Sequence, residues 1–375
     1  PIAQHKKGPI HAVLKSIDFF DPNAPTIVNY CDFNCIWDFK KFKEHIQISA
    51  CDGCVVTYTG FHPHMLGSTN YAYLKLKDSN IVDIQEKQPF TSNPMEEHAS
   101  SGTYFFKSAK LMEKYFKKTI EKDLNVNGEY YVSMSFKPMI EDNLKLNNFN
   151  LDYFMQWGTP EDLKEYKWYS NLFKAEAKRH NNENRFLDNT TLLMPCAGEG
   201  KRFADKGFAD PKPLIKLSNR PMLLNALDDL PNTKKKKIIF RKNMQKLNLI
   251  TSHIKDSYPE ASIQLLNNKT NGQAHTCLLG LENIDLNKPL IISACDNGLI
   301  YDFNLLKELI NDDTIDILVW GCREYPGALR NPKMFGWIEE ENKIIKKIHV
   351  KEIFKDIHND PIVTGTFYFK KSSIF

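Results

Sequence analysis

The chain repeats itself. Gly8-Pro-Ile-His-Ala-Val-Leu returns as Gly272-Gln-Ala-His-Thr-Cys-Leu, with His275 standing 264 residues after His11. At that same offset Cys31-Asp32 meets Cys295-Asp296, Trp37-Asp38-Phe39 meets Tyr301-Asp302-Phe303, and Phe42-Lys43-Glu44 meets Leu306-Lys307-Glu308, with no gap. Tyr71-Ala72-Tyr73 then matches Phe335-Gly336-Trp337, and Lys87 matches Lys351. After a slip of one residue, Ser101-Gly102-Thr103 matches Thr364-Gly365-Thr366. A period this long marks a duplicated domain rather than a solenoid unit. Length agrees: 375 residues at roughly 150 per domain give about two and a half domains. Two whole copies do not fit. The Gly-rich segment at Gly198 would have its counterpart before residue 1, and Trp157-Gly-Thr-Pro160 would recur beyond Phe375. With Pro1 in place of a starting Met, the expectation is an internal piece of a longer tandem protein. Its expected parts are a first module over 1–178 without its beginning, a linker over 179–188 and a second module over 189–375 without its end.

Composition narrows the class. Hydrophobic residues make up 42% and charged residues 26%, an ordinary globular mix that excludes disordered, collagenous and coiled-coil chains. A net charge of +4 is too small over this length to imply a nucleic-acid surface, whereas small anionic substrates stay open. No run of about 18 apolar residues occurs, and Pro1 to Pro9 carry charge instead of a signal core, so the expectation is an unexported, cytoplasmic protein. Sequons such as Asn189-Thr-Thr191 then carry no meaning. The eight cysteines are scattered, several in apolar runs, which suits reduced thiols. Cys51-Asp-Gly-Cys54 has no second pair to make a metal site with.

The second copy alternates strand-like and helix-like stretches. Strands are expected at Thr190 to Met194, Lys237 to Phe240, Ser262 to Leu266 and Pro289 to Ala294. Helices are expected from about Pro221, over Asn243 to Ile254, and after Gly272. That alternation predicts an α/β fold with a mainly parallel sheet. Ligands of such sheets sit at the carboxyl ends of the strands, so the Gly loop and Asp296 should face one crevice. Pro160 to His180 is rich in helix formers, with Leu163, Trp168, Leu172 and Phe173 roughly on one side, and is expected to pack on the first copy. Lys234 to Lys237 read as a solvated strand entrance.

Met194-Pro-Cys-Ala-Gly198-Glu-Gly200-Lys-Arg202-Phe203, followed by Asp210-Pro-Lys212-Pro-Leu214, carries the chemistry. Glycines let a backbone turn tightly and bring its N–H groups near phosphate oxygens, while Arg and Lys add charge-assisted bonds to the same group. It is not a Walker A loop, since no Gly-Lys-Ser/Thr follows. Nor is it a dinucleotide G-x-G-x-x-G, since Phe203 replaces the third glycine. By itself it is also compatible with an ordinary strand-to-helix turn.

Ala197-Gly-Glu-Gly-Lys-Arg-Phe203, Asp210-Pro-Lys-Pro-Leu-Ile215 and Arg220-Pro-Met222 resemble the signature of the sugar-phosphate nucleotidyltransferases. The nearest likeness is to the bacterial capsule-cluster type, whose pattern ends in segments like Asn127-Gly-Glu-Tyr-Tyr-Val132 and Gly158-Thr-Pro-Glu-Asp-Leu163. The resemblance covers nearly the whole chain apart from the linker. It implies two Rossmann-like, GT-A-like modules in tandem, each a mainly parallel mixed sheet flanked by helices. It also implies that Ala197, Gly198 and Gly200 wrap a nucleotide, that Arg202 and Lys212 hold its phosphates at the reacting centre, and that Thr270, Gly272 and Gln273 read the base. By the same resemblance Asp296 holds Mg²⁺, and Gly336, Lys351 and Gly365 serve the sugar phosphate. The first-copy equivalents are Gly8, Asp32, Glu86, Lys87 and Gly102. Two positions depart from the pattern. Gln156 stands where some relatives have a second metal-binding Asp, and Pro9-Ile10 replaces Gln273-Ala274.

The implied reaction condenses an NTP with a sugar-1-phosphate, or a similar small phosphate ester, for surface polysaccharide. Attack on the α-phosphorus with loss of pyrophosphate needs no protein nucleophile. It needs Mg²⁺, Arg and Lys placed where charge rises. Two other readings stay open: a nucleotide-sugar-dependent glycosyltransferase, which would be expected to show a D-x-D motif, and a non-catalytic nucleotide-sugar-binding module. The implied partners are small molecules, with no nucleic acid and no membrane span, and a homo-oligomer stays open. Each motif has a plainer use as well. Thr159-Pro160-Glu161-Asp162 makes a good helix start, and His11 and His275 suit helix-start packing or capping.

Overall fold

A computed structural model describes residues 6–60, 69–179, 185–350, 352, 356–357 and 359–375. The chain divides into two compact units, Pro1–Tyr169 and Ser170–Phe375. The first unit contains α1 (Pro9–Leu14), β1 (Thr26–Asn29), β2 (Phe33–Ile36), α2 (Phe39–Ser49), β3 (Gly53–Tyr58), β4 (Ala72–Lys77), β5 (Asn80–Glu86) and β6 (His98–Phe106). After these come α3 (Ala109–Glu121), α4 (Phe136–Glu141), β7 (Leu146–Asn150), β8 (Tyr153–Gln156) and α5 (Pro160–Arg179), which runs past the unit's end. Six strands form one sheet in the order β1-β6-β3-β7-β5-β4, and β2 pairs with β8 apart from it.

This first sheet corrects the expectation of a mainly parallel one. Only β3 and β7 run parallel; β1, β6, β4 and β5 pair antiparallel with their neighbours. The cause is local. Asp78 and Ser79, at φ 50° and 64°, make a two-residue turn between β4 and β5 of the kind that matches strand twist. A parallel return would have needed a crossover of a dozen residues.

The second unit begins with β9 (Thr191–Pro195), α6 (Lys201–Ala204), the hairpin β10 (Lys216–Leu217) and β11 (Arg220–Pro221), and α7 (Met222–Asp229). It continues through β12 (Lys235–Arg241), α8 (Leu247–Ser257), β13 (Ser262–Leu266), α9 (Gln273–Gly280), β14 (Leu290–Ile292) and α10 (Phe303–Asn311). It closes with β15 (Ile317–Cys322), α11 (Pro326–Arg330), β16 (Gly336–Glu341), β17 (Ile344–Val350) and β18 (Ile362–Phe369). Its main sheet runs β13-β12-β9-β14-β18-β16-β17, with β15 on β18. The first four strands in that order are parallel; the remaining pairings are antiparallel.

Burial explains the parallel half. Leu192, Met194, Ile238, Phe240 and Ile291 join α7 and α8 residues such as Leu223, Leu227, Ile250 and Ile254 in one core. The alternate residues Leu193, Ile239, Leu290 and Ile292 join Cys277 of α9 in another. Both faces of β9, β14 and the centre of β12 are therefore covered, which is why Leu192–Met194, Leu290–Ile292 and Ile238–Phe240 read as unbroken apolar runs. The chain order of the parallel strands reverses beside β9, and the carboxyl ends of β9 and β14 open there.

Three local expectations shift. The helix expected from Asn243 starts at Leu247, because Lys246 sits in left-handed conformation at φ 55° and ends a turn. Leu163 and Phe173 of α5 remain 37% and 66% exposed; five positions place Leu163 about 140° from Trp168, too wide for one seam. Of the expected linker, residues 180–184 lie outside those described, while Leu187 is buried in the second unit's core and its N–H donates to Asn232 O.

The sequence repeat has a structural counterpart. α1 and α9, α2 and α10, β3 and β15, β4 and β16, and β5 and β17 each begin 264 residues apart. Asp38 caps α2 and Asp302 caps α10, each accepting from two backbone N–H groups. The β3–β6 and β15–β18 pairs are irregular after Val56 and Val319, and the β4–β5 and β16–β17 pairs after Lys75 and Glu339. Gly102 and Gly365 sit at the irregularity of β6 and of β18 with φ of 89° and 88°. A β-bulge that needs φ > 0 explains why glycine stands there in both units.

Candidate functional site

The apolar strand β9 delivers the chain to the Gly loop. Cys196 N–H still donates to Ile239 O of β12 at 2.8 Å, so the sheet holds the loop's start. Gly200 turns at φ 62°, and a Cβ there would come 3.2 Å from Lys212 Cβ. Gly198 differs: nothing stands within 4 Å of where its Cβ would be. The protein's own packing therefore does not require glycine at 198, and the bare backbone faces space that a ligand could approach closely.

That space is a cleft of about 1040 Å³, lined by Ala197, Gly198, Gly200, Arg202, Lys212, Thr270, Gly272, Gln273 and Asp296. These are nine residues singled out from sequence, drawn from the ends of β9, β13 and β14 and from the turn after α6. Lys201, Lys206 and Lys269 also line it. Five cations thus face two carboxylates, Glu199 and Asp296, and the cleft favours an anion. Lys212 Nζ is ion-paired with Asp296 Oδ2. On the far wall, Thr276 Oγ donates to Gly272 O at 3.1 Å and lies 2.7 Å from Thr270 Oγ. Asn271 N–H donates to His275 Nδ1 at 3.2 Å. His275 thus holds the turn before α9.

Beneath the loop, Cys196 and Cys295 are buried, and burial pushes the Cys196 thiol up. Glu199, Lys269 and Arg241, which sequence reasoning missed, form an ionic cluster at the mouth. Glu199 Oε1 is 3.2 Å from Lys269 Nζ and 3.7 Å from Arg241. Lys269 holds the Glu199 carboxyl below the usual carboxylate range. Only the odd placement of Glu199 between two glycines could have drawn notice.

Of the second-unit glycines assigned to a sugar phosphate, neither Gly336 nor Gly365 lines this cleft. Gly365 lies beside it: a Cβ there would be 3.2 Å from Asn297 Nδ2, next to Asp296. Gly336 starts β16, 3.6 Å from Val363 by the same measure. Lys351 is outside the described residues.

In the first unit the picture is separate. Ser133 Oγ donates to Glu86 Oε2 at 2.5 Å, and burial raises the Glu86 carboxyl. Lys87 Nζ donates to Tyr131 Oη at 2.7 Å, and Tyr131 Oη donates to Glu129 Oε2. The Asn127 to Val132 segment thereby meets Lys87 through Tyr131, and Ser133 just past it meets Glu86. Gly102 packs under Tyr30. A Cβ on Gly158 would lie 2.8 Å from Asp32 Oδ2 and 3.1 Å from Gln156 Nε2, so an amide neighbours the Asp32 carboxylate. Gly8 faces the backbone of Tyr130 within 2.6 Å of a would-be Cβ, whereas nothing lies within 4 Å of a would-be Cβ on Gly272. His11 packs edge-on against the Tyr130 ring.

Among the described residues no group of three or more His, Cys, Asp or Glu could hold a metal ion. Asp296 alone suits Mg²⁺ that arrives on phosphate oxygens and keeps waters as its other ligands. No described helix is long and apolar enough to cross a membrane.

No protein-family model matches the chain, and no curated protein matches it either. Among solved structures it is similar to the inositol-1-phosphate CTP transferase of T. maritima, at 15% identity over 50% of this chain and 72% of that one, with a TM-score of 0.39. It is similar also to a UDP-glucose pyrophosphorylase complexed with UDP-glucose, at 17% identity over 49% and 76%, with a TM-score of 0.39. A third is the nucleoside-diphosphate-sugar pyrophosphorylase of Vibrio cholerae RC9, at 15% identity over 48% and 73%, with a TM-score of 0.38.

Proposed function

We propose that the second unit is the nucleotide-binding part of a nucleotidyltransferase. The reaction joins an NTP to a sugar-1-phosphate or similar small phosphate ester, giving a nucleotide-activated product and pyrophosphate for surface polysaccharide. The observation that carries this reading is the gathering of the bare Gly198 backbone, Arg202, Lys212, Gln273 and Asp296 around one cleft. The loop N–H groups and Arg202 take the triphosphate oxygens. Lys212 lies against the reacting phosphate, and Thr270 to Gln273 face the base. Asp296 would hold Mg²⁺, which when bound withdraws charge from phosphate oxygens. Asp296 pairs with Lys212, so the carboxylate and the ammonium keep each other in place for a ligand carrying both signs. Arg202→Ala and Asp296→Asn test this reading by the rate of pyrophosphate release.

The two units are proposed to be copies of one module. Shared element spacing, caps, bulges and bulge glycines support the duplication. For the first unit a non-catalytic binding role is favoured by one observation, the Gln156 amide beside Asp32 where a second carboxylate would strengthen a metal site.

A further inference from the structure

Glu199 has the wrong sign for its place. It sits between Gly198 and Gly200 in a loop proposed to hold triphosphate, where a carboxylate repels the ligand. Its surroundings differ from those of a loose surface acid. Three parallel strands that are neighbours in the sheet, β9, β12 and β13, send their carboxyl ends to it: Glu199 itself follows β9, Arg241 ends β12 and Lys269 follows β13. Lys269 Nζ is at 3.2 Å and Arg241 at 3.7 Å. The Arg241 side chain is only 15% exposed, and its Nε finds no hydrogen-bond partner among the described residues. Taking Glu199 away would leave that guanidinium without its anion.

We infer that Glu199 is a positioning residue. This rests on the reading of the cleft as an NTP site. By sharing its carboxylate between Lys269 and Arg241, Glu199 ties the phosphate loop to the loop that carries Thr270 and Gly272. The tie sets the spacing between the triphosphate and the base, and its two cations cancel the repulsion that Glu199 alone would exert. A simple charge account makes the opposite forecast, because deleting an acid beside a phosphate site should tighten anion binding.

The experiment is a double-mutant cycle on the intact chain with Glu199→Gln, Lys269→Gln and both. Kd is measured by calorimetry with Mg²⁺ and each of ATP, CTP, GTP, UTP and dTTP, and with inorganic tripolyphosphate as a probe without a base. For the nucleotide that binds the wild type, each single substitution should raise Kd by about three- to tenfold, and the double no further than the worse single. Tripolyphosphate should bind the Glu199→Gln chain as well as the wild type or better. Should Glu199→Gln tighten the nucleotide or leave it unchanged, should the two effects add, or should tripolyphosphate weaken in step with the nucleotide, the positioning role is overturned. If the wild type binds none of the five nucleotides, the NTP reading falls instead.

Discussion

At Asp296 one carboxylate meets one ammonium, that of Lys212, at the carboxyl end of β14. Electrostatic groups aimed at a reacting phosphate are typically worth about 10²–10³ in rate, so Arg202→Ala, Lys212→Ala and Asp296→Asn should each lower pyrophosphate release by about that factor. Far-UV circular dichroism should stay the same, since all three side chains line the cleft rather than the cores. Glu86 offers a pH test. Burial raises its carboxyl above the usual range, so its folded-state pKa lies above the unfolded one. The stability it contributes is complete below the unfolded pKa and is lost as pH rises through the folded pKa. Melting of the wild type should therefore fall across that window by about a few degrees, and Glu86→Gln, which can still accept from Ser133, should flatten the fall. Glu199 titrates the other way. Its pKa is lowered by Lys269, so the ion pair is complete above the usual carboxylate pKa and is lost only as pH drops through the lowered one.

Among the elements, α9 is pressed hardest. A Cβ on Gly280 would stand 2.4 Å from Ile239 Cδ1 and 2.9 Å from Leu193 Cδ1. Gly280→Ala should therefore destabilise the second unit by about 1–3 kcal/mol. It should also weaken nucleotide binding by displacing the helix whose first residue is Gln273, and denaturant melts with and without nucleotide would separate the two effects. What could be read in the sequence follows from how local each signal is. The Gly loop and Lys212 stood out because their chemistry is written in one short stretch, and Asp296 because it follows the end of an apolar strand. The central strands β9 and β14 stood out because strands buried on both faces are apolar throughout. The antiparallel half was not legible, since strand alternation says nothing of direction; the direction was set by two-residue turns at Asp78-Ser79 and Asn342-Lys343. The cluster of Glu199, Arg241 and Lys269 was invisible for another reason. Charges far apart in the chain meet only once the strand order places β9, β12 and β13 side by side.

Over the whole molecule, two units share strand registers yet differ where function would be decided. The second keeps an open, cationic cleft; the first has Gly8 covered by Tyr130 and an amide beside Asp32. Calorimetry with Mg²⁺ and the preferred NTP should accordingly find one nucleotide per chain, lost in Arg202→Ala, and saturating nucleotide should raise the melting temperature by mass action. The most direct measurement is pyrophosphate release from the protein offered each NTP with a panel of sugar-1-phosphates and phosphocholine. One pair should release pyrophosphate in a Mg²⁺-dependent manner, and the rate should collapse in Asp296→Asn and Arg202→Ala. Release from no pair above background, or rates untouched by those two substitutions, would contradict the assignment of the cleft.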